Sequence, residues 1–198
     1  MVAFTKLMLW IHKVLGTLLS ILFLVWFLSG LVMIYHSFPQ VNQYDRLKKM
    51  DPLRPEELPS IEQIIARLPE GETIRSLTLD SYMGVPCFHI QGKQGSYDLP
   101  ADSSQTWPIT PDFNRIATHW VKAPIARIDT LYQLEQWIPF GRLKQEFPIY
   151  KYYFDDEEQH QLYLSSKSGK VLQRTDQKSR FWAWIGAIPH WIYFTSLR

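Results

Sequence analysis

The sequence predicts an α+β protein: an N-terminal transmembrane helix, then helices packed on antiparallel β-meanders, then a C-terminal aromatic segment close to the membrane. Three observations carry this reading. Residues 14–35 (VLGTLLSILFLVWFLSGLVMIY) contain no group that ionises near neutral pH. The middle of the chain alternates short helical signals with period-two strand patterns. Residues 180–198 gather six aromatic side chains, Phe181, Trp182, Trp184, Trp191, Tyr193 and Phe194, between two arginines.

The elements follow in order. A helix over 14–35 covers about 33 Å, which matches a hydrocarbon core of ~30 Å. Trp10 and Tyr35 fit the interfacial belts at its two ends. A cleaved signal peptide is the alternative, but the apolar run is too long for one, and Ser29-Gly30 is followed by more apolar residues. Residues 1–36 are therefore read as an uncleaved span. Lys6 and Lys13 flank one side, and Arg46, Lys48, Lys49 and Arg54 the other. The local charge count alone favours an outside N-terminus, although long domains translocate largely regardless of charge. Gly16 and Ser20 form a small-xxx-small pair and Gly30 extends it. Such residues let a second helix or a flat ligand approach the backbone; plain tolerance of glycine in membrane helices is the alternative.

Residues 37–59, with Pro39, Pro52, Pro55 and Pro59, read as a linker. A folded domain is expected over 60–176. Ser60-Ile61-Glu62-Gln63 is a capping box that opens a short helix to Leu68, closed by Pro69 and Gly71. Strands are expected at 73–80, 85–91 and 96–99, the last two joined by the turn Gly92-Lys93-Gln94-Gly95. Thr110-Pro111 opens a helix through Lys122, and a second helical piece is expected at 129–136. Strands at 147–154, 160–165 and 170–174 complete the domain. The recurrence of helix and meander suggests a weak duplication of 60–105 and 110–176. The tail, 177–198, fits the headgroup layer, with Pro189 interrupting any helix; packing of this tail on the domain is the alternative.

Composition excludes several classes. The chain has 198 residues, 21 Lys+Arg against 19 Asp+Glu and a net charge of +2, so it lacks the basic footprint of a nucleic-acid binder. A single cysteine, Cys87, excludes an internal disulfide and a Cys-rich zinc site, and reads as a small buried side chain. No nucleophile elbow, phosphate loop, paired-acid motif or His-x-x-x-His pair is present.

The chain resembles the PepSY-associated transmembrane family over most of its length. Trp10-Ile11-His12-Lys13-Val14-Leu15-Gly16 is similar to the family's His-Arg-Trp-x-Gly opening, with Val14 in place of the aromatic. Ser29-Gly30-Leu31 is similar to its Thr-Gly-Leu. The run 163–171 (YLSSKSGKV) is similar to its strand, Thr/Ser-Gly-Glu-Val turn and strand, with Lys170 in place of the acid. Residues 180–198 are similar to its lead-in to a second membrane helix, with His190 in the characteristic place. The resemblance implies a bacterial inner-membrane protein with a PepSY-like domain on the periplasmic or extracytoplasmic side, hence an inside N-terminus. It also implies later membrane helices that this chain lacks, so that the chain is a truncated product or fragment. Some members are linked to reduction of iron–siderophore complexes or to haem between helices.

Histidines are the remaining chemistry. His12, His36 and His190 flank membrane segments. Neutral imidazole is an axial ligand for haem iron. His12 and His36 lie about 36 Å apart along one helix, too far to share an iron. If the tail returns to the outer boundary, His36 and His190 meet there and can bridge a haem. His12 needs a partner from further helices or another copy. Met33 is a possible thioether ligand or simply an apolar side chain. The plain alternative for all three histidines is an interfacial ring with its polar edge turned to water. No local spacing draws His89, His119 and His160 into one metal site, and Asp155-Asp156-Glu157-Glu158 is either a cation attractor or a solvated hairpin turn.

Two functions from different classes follow. The first is a haem-bearing redox component of iron uptake that passes electrons outward to a ferric-siderophore complex. The second is a non-catalytic, membrane-anchored binding or regulatory module, since PepSY-like domains resemble propeptide segments of thermolysin-type metallopeptidases and an edge strand can pair with an extended peptide. Expected partners are membrane lipid, further membrane helices or a second copy, and a ferric-siderophore or peptide ligand. No nucleic acid is expected.

Overall fold

A computed structural model describes residues 2–50, 52–82, 85–105 and 111–195. Thr110, expected to open a helix, and the end of the aromatic tail, 196–198, lie outside the described residues. In chain order the elements are α1 (Val2–Tyr35), α2 (Gln43–Lys49), α3 (Ile61–Ile65), β1 (Ile74–Tyr82), β2 (Val85–Gly92), β3 (Ser96–Pro100), α4 (Phe113–Trp120), β4 (Ile125–Leu131), β5 (Ile149–Phe154), β6 (Gln161–Ser165), β7 (Val171–Thr175), α5 (Gln177–Ile185) and α6 (Ala187–Trp191). Short 3-10 turns occupy Pro55–Glu57 and Gly141–Glu146. The architecture is α+β, with a long apolar N-terminal helix and two antiparallel sheets.

Helix α1 is 34 residues long. Over Ala3–Tyr35 its mean hydropathy reaches 2.5 and nearly all of its surface is exposed, which is compatible with a membrane anchor or a signal sequence. Ser20 returns its hydroxyl to the Gly16 carbonyl at 2.7 Å, so the polar group is satisfied without leaving the helix.

The chain divides into two compact units. The first comprises Met1–Val41 and Ala123–Arg198 and contains α1, the sheet β4-β5-β6-β7, α5 and α6. Its strands pair in sequence order, and the row Asp129–Lys151–Tyr163–Gln173 crosses all four. Residues of the expected helix at 129–136 instead complete β4: Ile125 to Leu131 pairs with β5 through an antiparallel ladder, and that long-range pairing overrides the local helical spacing. The core joins Phe38, Trp137, Ile138, Ile149 and Tyr163 to Ala183, Ala187 and Ile188, with Met33 packed against it. Gln173 adds a polar strut, donating to the carbonyls of Pro39 at 2.6 Å and Trp137 at 3.0 Å.

The tail forms two helices rather than an interrupted one. Asp176 and Ser179 cap α5 reciprocally. The break falls at Gly186, and Pro189 sits inside the first turn of α6, where its missing N–H costs nothing.

The second unit, Asn42–Lys122, contains α2, α3, the sheet β1-β2-β3 and α4. The stretch read as a linker, 37–59, thus contributes Phe38 to the core of the first unit and a capped helix, α2, to the second. The Ser60 capping box opens α3 as its spacing predicts, and Ile64 packs on Phe88 and Ile90. Cys87 is fully buried.

Candidate functional site

Histidine 190 lies where α6 crosses the end of α1. Its ring stacks on Trp26 with centroids 5.2 Å apart, and its Nδ1 lies 3.2 Å from the Trp26 carbonyl and 3.3 Å from the Ser29 hydroxyl. Gly30 makes this approach possible. A Cβ there would sit 3.3 Å from His190 Cε1, tighter than an ordinary contact. Gly30 therefore accepts the close approach that its residue type suggests, whereas Gly16 meets nothing within 4 Å. With Nδ1 on a carbonyl, the proton belongs on Nδ1 and the lone pair on Nε2. A carbonyl holding Nδ1–H is the arrangement that orients histidine as a metal ligand. It is equally a satisfied hydrogen bond for a half-buried ring.

The other two candidates sit elsewhere. His36, one residue beyond α1, stacks on Trp182 of α5 with centroids 4.0 Å apart and planes 12° from parallel. His12 is exposed near the opposite end of α1. The structure brings His190 against α1 at residues 26–30 and gives His36 a separate aromatic partner at the helix end. Each ring thus has its own neighbour, and about 9 Å of helix rise separates Gly30 from His36. Met33 is engaged in the core of the first unit.

The remaining histidines have separate partners too. His89 on β2 spans two carboxylates, with Nδ1 2.6 Å from Asp98 of β3 and Nε2 3.0 Å from Asp80 of β1. Partial burial opposes the charged ring, but the hydrogen bonds and charges of Asp98 and Asp80 outweigh it and raise the His89 pKa. His119 Nε2 meets the Lys49 carbonyl at 2.7 Å. His160 sits in the β5–β6 turn, with Nδ1 2.5 Å from Asp156 and Nε2 3.3 Å from Glu158. Burial would raise the Asp156 pKa, yet the hydrogen bonds from His160 lower it. Two acids of the run, Asp156 and Glu158, thus close the turn on the His160 ring. Asp156, Glu158 and His160 each offer one ligand atom within 4.8 Å of the others, a group that could hold a metal ion but that exposed acidic turns also form without one.

Sequence reasoning missed one polar centre entirely. Lys151 on β5, nearly buried, donates to Glu135 at 2.7 Å, and the Tyr163 hydroxyl donates to the same oxygen. Lys151 also lies over the rings of Tyr153 and Tyr163. Burial first, then the Glu135 charge, pushes the Tyr163 hydroxyl far above its ordinary pKa. An isolated lysine within a hydrophobic strand (FPIYKYYF) was its one visible sign in the sequence.

The chain matches no protein-family model, and no curated protein or solved structure is significantly similar to it.

Proposed function

We propose that the chain is a membrane-anchored, non-catalytic binding module of PepSY-like character, held in a bacterial inner membrane with its folded units on the extracytoplasmic side. One observation carries the anchoring: the end of α1 packs against the core of the first unit, just before the chain enters that core at Phe38. Ser29 is 2% exposed, Met33 packs against the core and Phe38 lies within it. Removing α1 as a signal sequence would take away Met33 and Ser29, which α5 and α6 and the core pack on. The binding surface is the terminal strand β4, which pairs with β5 along one side and carries the exposed side chains of Arg127 and Ile128. An extended peptide can add to such an edge through main-chain hydrogen bonds. Extended peptides with a photoreactive group should cross-link near β4 in the full-length, detergent-solubilised protein. Loss of the cross-link in Ile128→Pro, with the fold intact by circular dichroism, supports the reading; cross-links confined to other elements contradict it.

A second reading, haem carriage with outward electron transfer, is favoured by His190. Its Nδ1 is held by Trp26 and Ser29, which leaves Nε2 as the ligand atom. Haem would supply one-electron chemistry there. The residues fit half of a bis-histidine site: His190 is oriented, while His36 is stacked on Trp182, so the second imidazole must come from another helix or another copy, as for His12. A reduced-minus-oxidised spectrum of purified membranes separates the two readings. A haem band lost in His190→Ala establishes the second, and a colourless protein leaves the first.

A further inference from the structure

The helices after β7 run back along α1. Trp182 stacks on His36, Gly186 lies against Val32 and Met33, and His190 reaches Trp26, Ser29 and Gly30. As the chain advances from 182 to 190, its contacts retreat along α1 from 36 to 26. The segment is therefore antiparallel to α1 and descends about 12 Å beside it.

This segment is apolar on two sides. Its inner side buries Ala183, Ala187 and Ile188 in the core of the first unit. Its outer side exposes Phe181 (57%) and Ile185 (42%) on α5 and Ile192 just past α6, with the half-exposed rings of Trp184 and Trp191 at its margin, where their other faces meet Trp137 and Phe38. Gln177 and Lys178, at the start of α5, are exposed and polar. Polarity thus falls along the direction of descent.

The placement of α1 decides what covers the outer side. Lys13 is the last charge before the apolar run. About 20 helical residues beyond it cross the hydrocarbon core, which brings the far boundary to the neighbourhood of Met33. Residues 26–33 then lie inside the core, together with whatever packs on them. Sliding α1 until 26–33 clear the core would draw Lys13 about two turns into hydrocarbon.

We propose that α5 and α6 insert into one leaflet beside α1 as a wedge, with Phe181, Trp184, Ile185, Trp191 and Ile192 facing lipid acyl chains and headgroup carbonyls and Lys178 at the water boundary. This rests on α1 being a membrane anchor. Aromatic rings with a polar edge suit that depth, and His190 enters it with its Nδ1 already bonded to protein.

The test is a depth profile of the full chain in phosphatidylcholine vesicles. Single cysteines at exposed positions (Lys178→Cys, Phe181→Cys, Ile185→Cys and Trp191→Cys, with Leu22→Cys on α1 as reference) each carry a nitroxide. Cys87 is fully buried, and the parent chain checks that it takes no label. The ratio of oxygen to nickel-chelate accessibility is expected to rise several-fold from 178 to 191 and approach that at 22. Water-like ratios at 181, 185 and 191 beside a lipid-like ratio at 22 would overturn the wedge and leave the anchor standing. Water-like ratios at all five positions would overturn both. Shielding from both probes that is relieved by diluting protein in lipid would assign the face to a second copy and overturn lipid as its partner.

Discussion

The buried centre of the first unit collects Phe38, Trp137, Ile138, Ile149, Tyr163, Ala183, Ala187 and Ile188 from distant parts of the chain. The cluster in the second unit is built on Ile64, Phe88 and Ile90, and the sheet around it is closed by carboxylates. Glu72 accepts the N–H groups of Thr73, Lys93 and Gln94 and the hydroxyl of Tyr97, sealing the β2–β3 turn. His89 ties β2 to both of its neighbours through Asp80 and Asp98. The difference teaches where each unit is vulnerable. The first is sensitive to lost volume and to loss of a partner in the buried Lys151–Glu135 pair, and it is continuous with α1. The second holds part of its stability in titratable groups.

The largest expected effect breaks the first unit alone. Phe38→Ala removes a ring buried among Trp137, Phe140 and Trp191, and should cost about 3–5 kcal/mol. Hydrogen exchange should rise across β4–β7 and α5 and stay unchanged in β1–β3. Next, Glu135→Gln leaves the Lys151 ammonium without its partner carboxylate. Because Glu135 is partly exposed, the cost should fall near the low end of the range for a broken buried pair, about 3 kcal/mol by chemical denaturation. Lys151→Met combined with Glu135→Leu should recover much of that loss.

The smaller effects sharpen the contrast from the side of the second unit. The raised pKa of His89 means that its contribution is full below the ordinary histidine value of 6.5 and is lost as pH rises through the raised value. Exchange protection of β1–β3 should decline over that window by less than about 1 kcal/mol, and His89→Gln should flatten the decline. The smallest effect is the reverse in sign. The Tyr97 hydrogen bond, with those from the backbone amides, holds Glu72 down to about 2 from an ordinary 4.5. Its contribution is full above the ordinary value and fades as pH falls toward 2, so Glu72→Gln should weaken the β2–β3 turn at neutral pH and remove this acid sensitivity.

Much of this was legible locally. Alternation located β1, strand-like runs between turn residues located β2, β3 and β5–β7, and the Ser60 capping box located α3. A helix needs only its own neighbours to form a cap, so such signals survive in isolation. β4 escaped because its ladder partner lies about twenty residues downstream, and the spacing of Leu131 and Leu134 imitates a helix. The Asp176–Ser179 cap of α5 went unread beside the aromatic run that follows it, and the descent of α5 and α6 along α1 exists only in tertiary contacts. The candidate site was legible in part. His190 could be named from its flanking residues, whereas its bond to Trp26 depends on Gly30 lying opposite it. The His89 clamp joins residues on three strands, and only their register brings them together.

The central claim is that α1 is part of the folded first unit and stays with it. Intact mass and N-terminal sequencing of the protein purified from carbonate-washed membranes test this most directly. The expected result is a chain that retains α1 through Phe38 and resists carbonate extraction. A mature product that begins after α1, soluble and still folded over β4–β7, would contradict it.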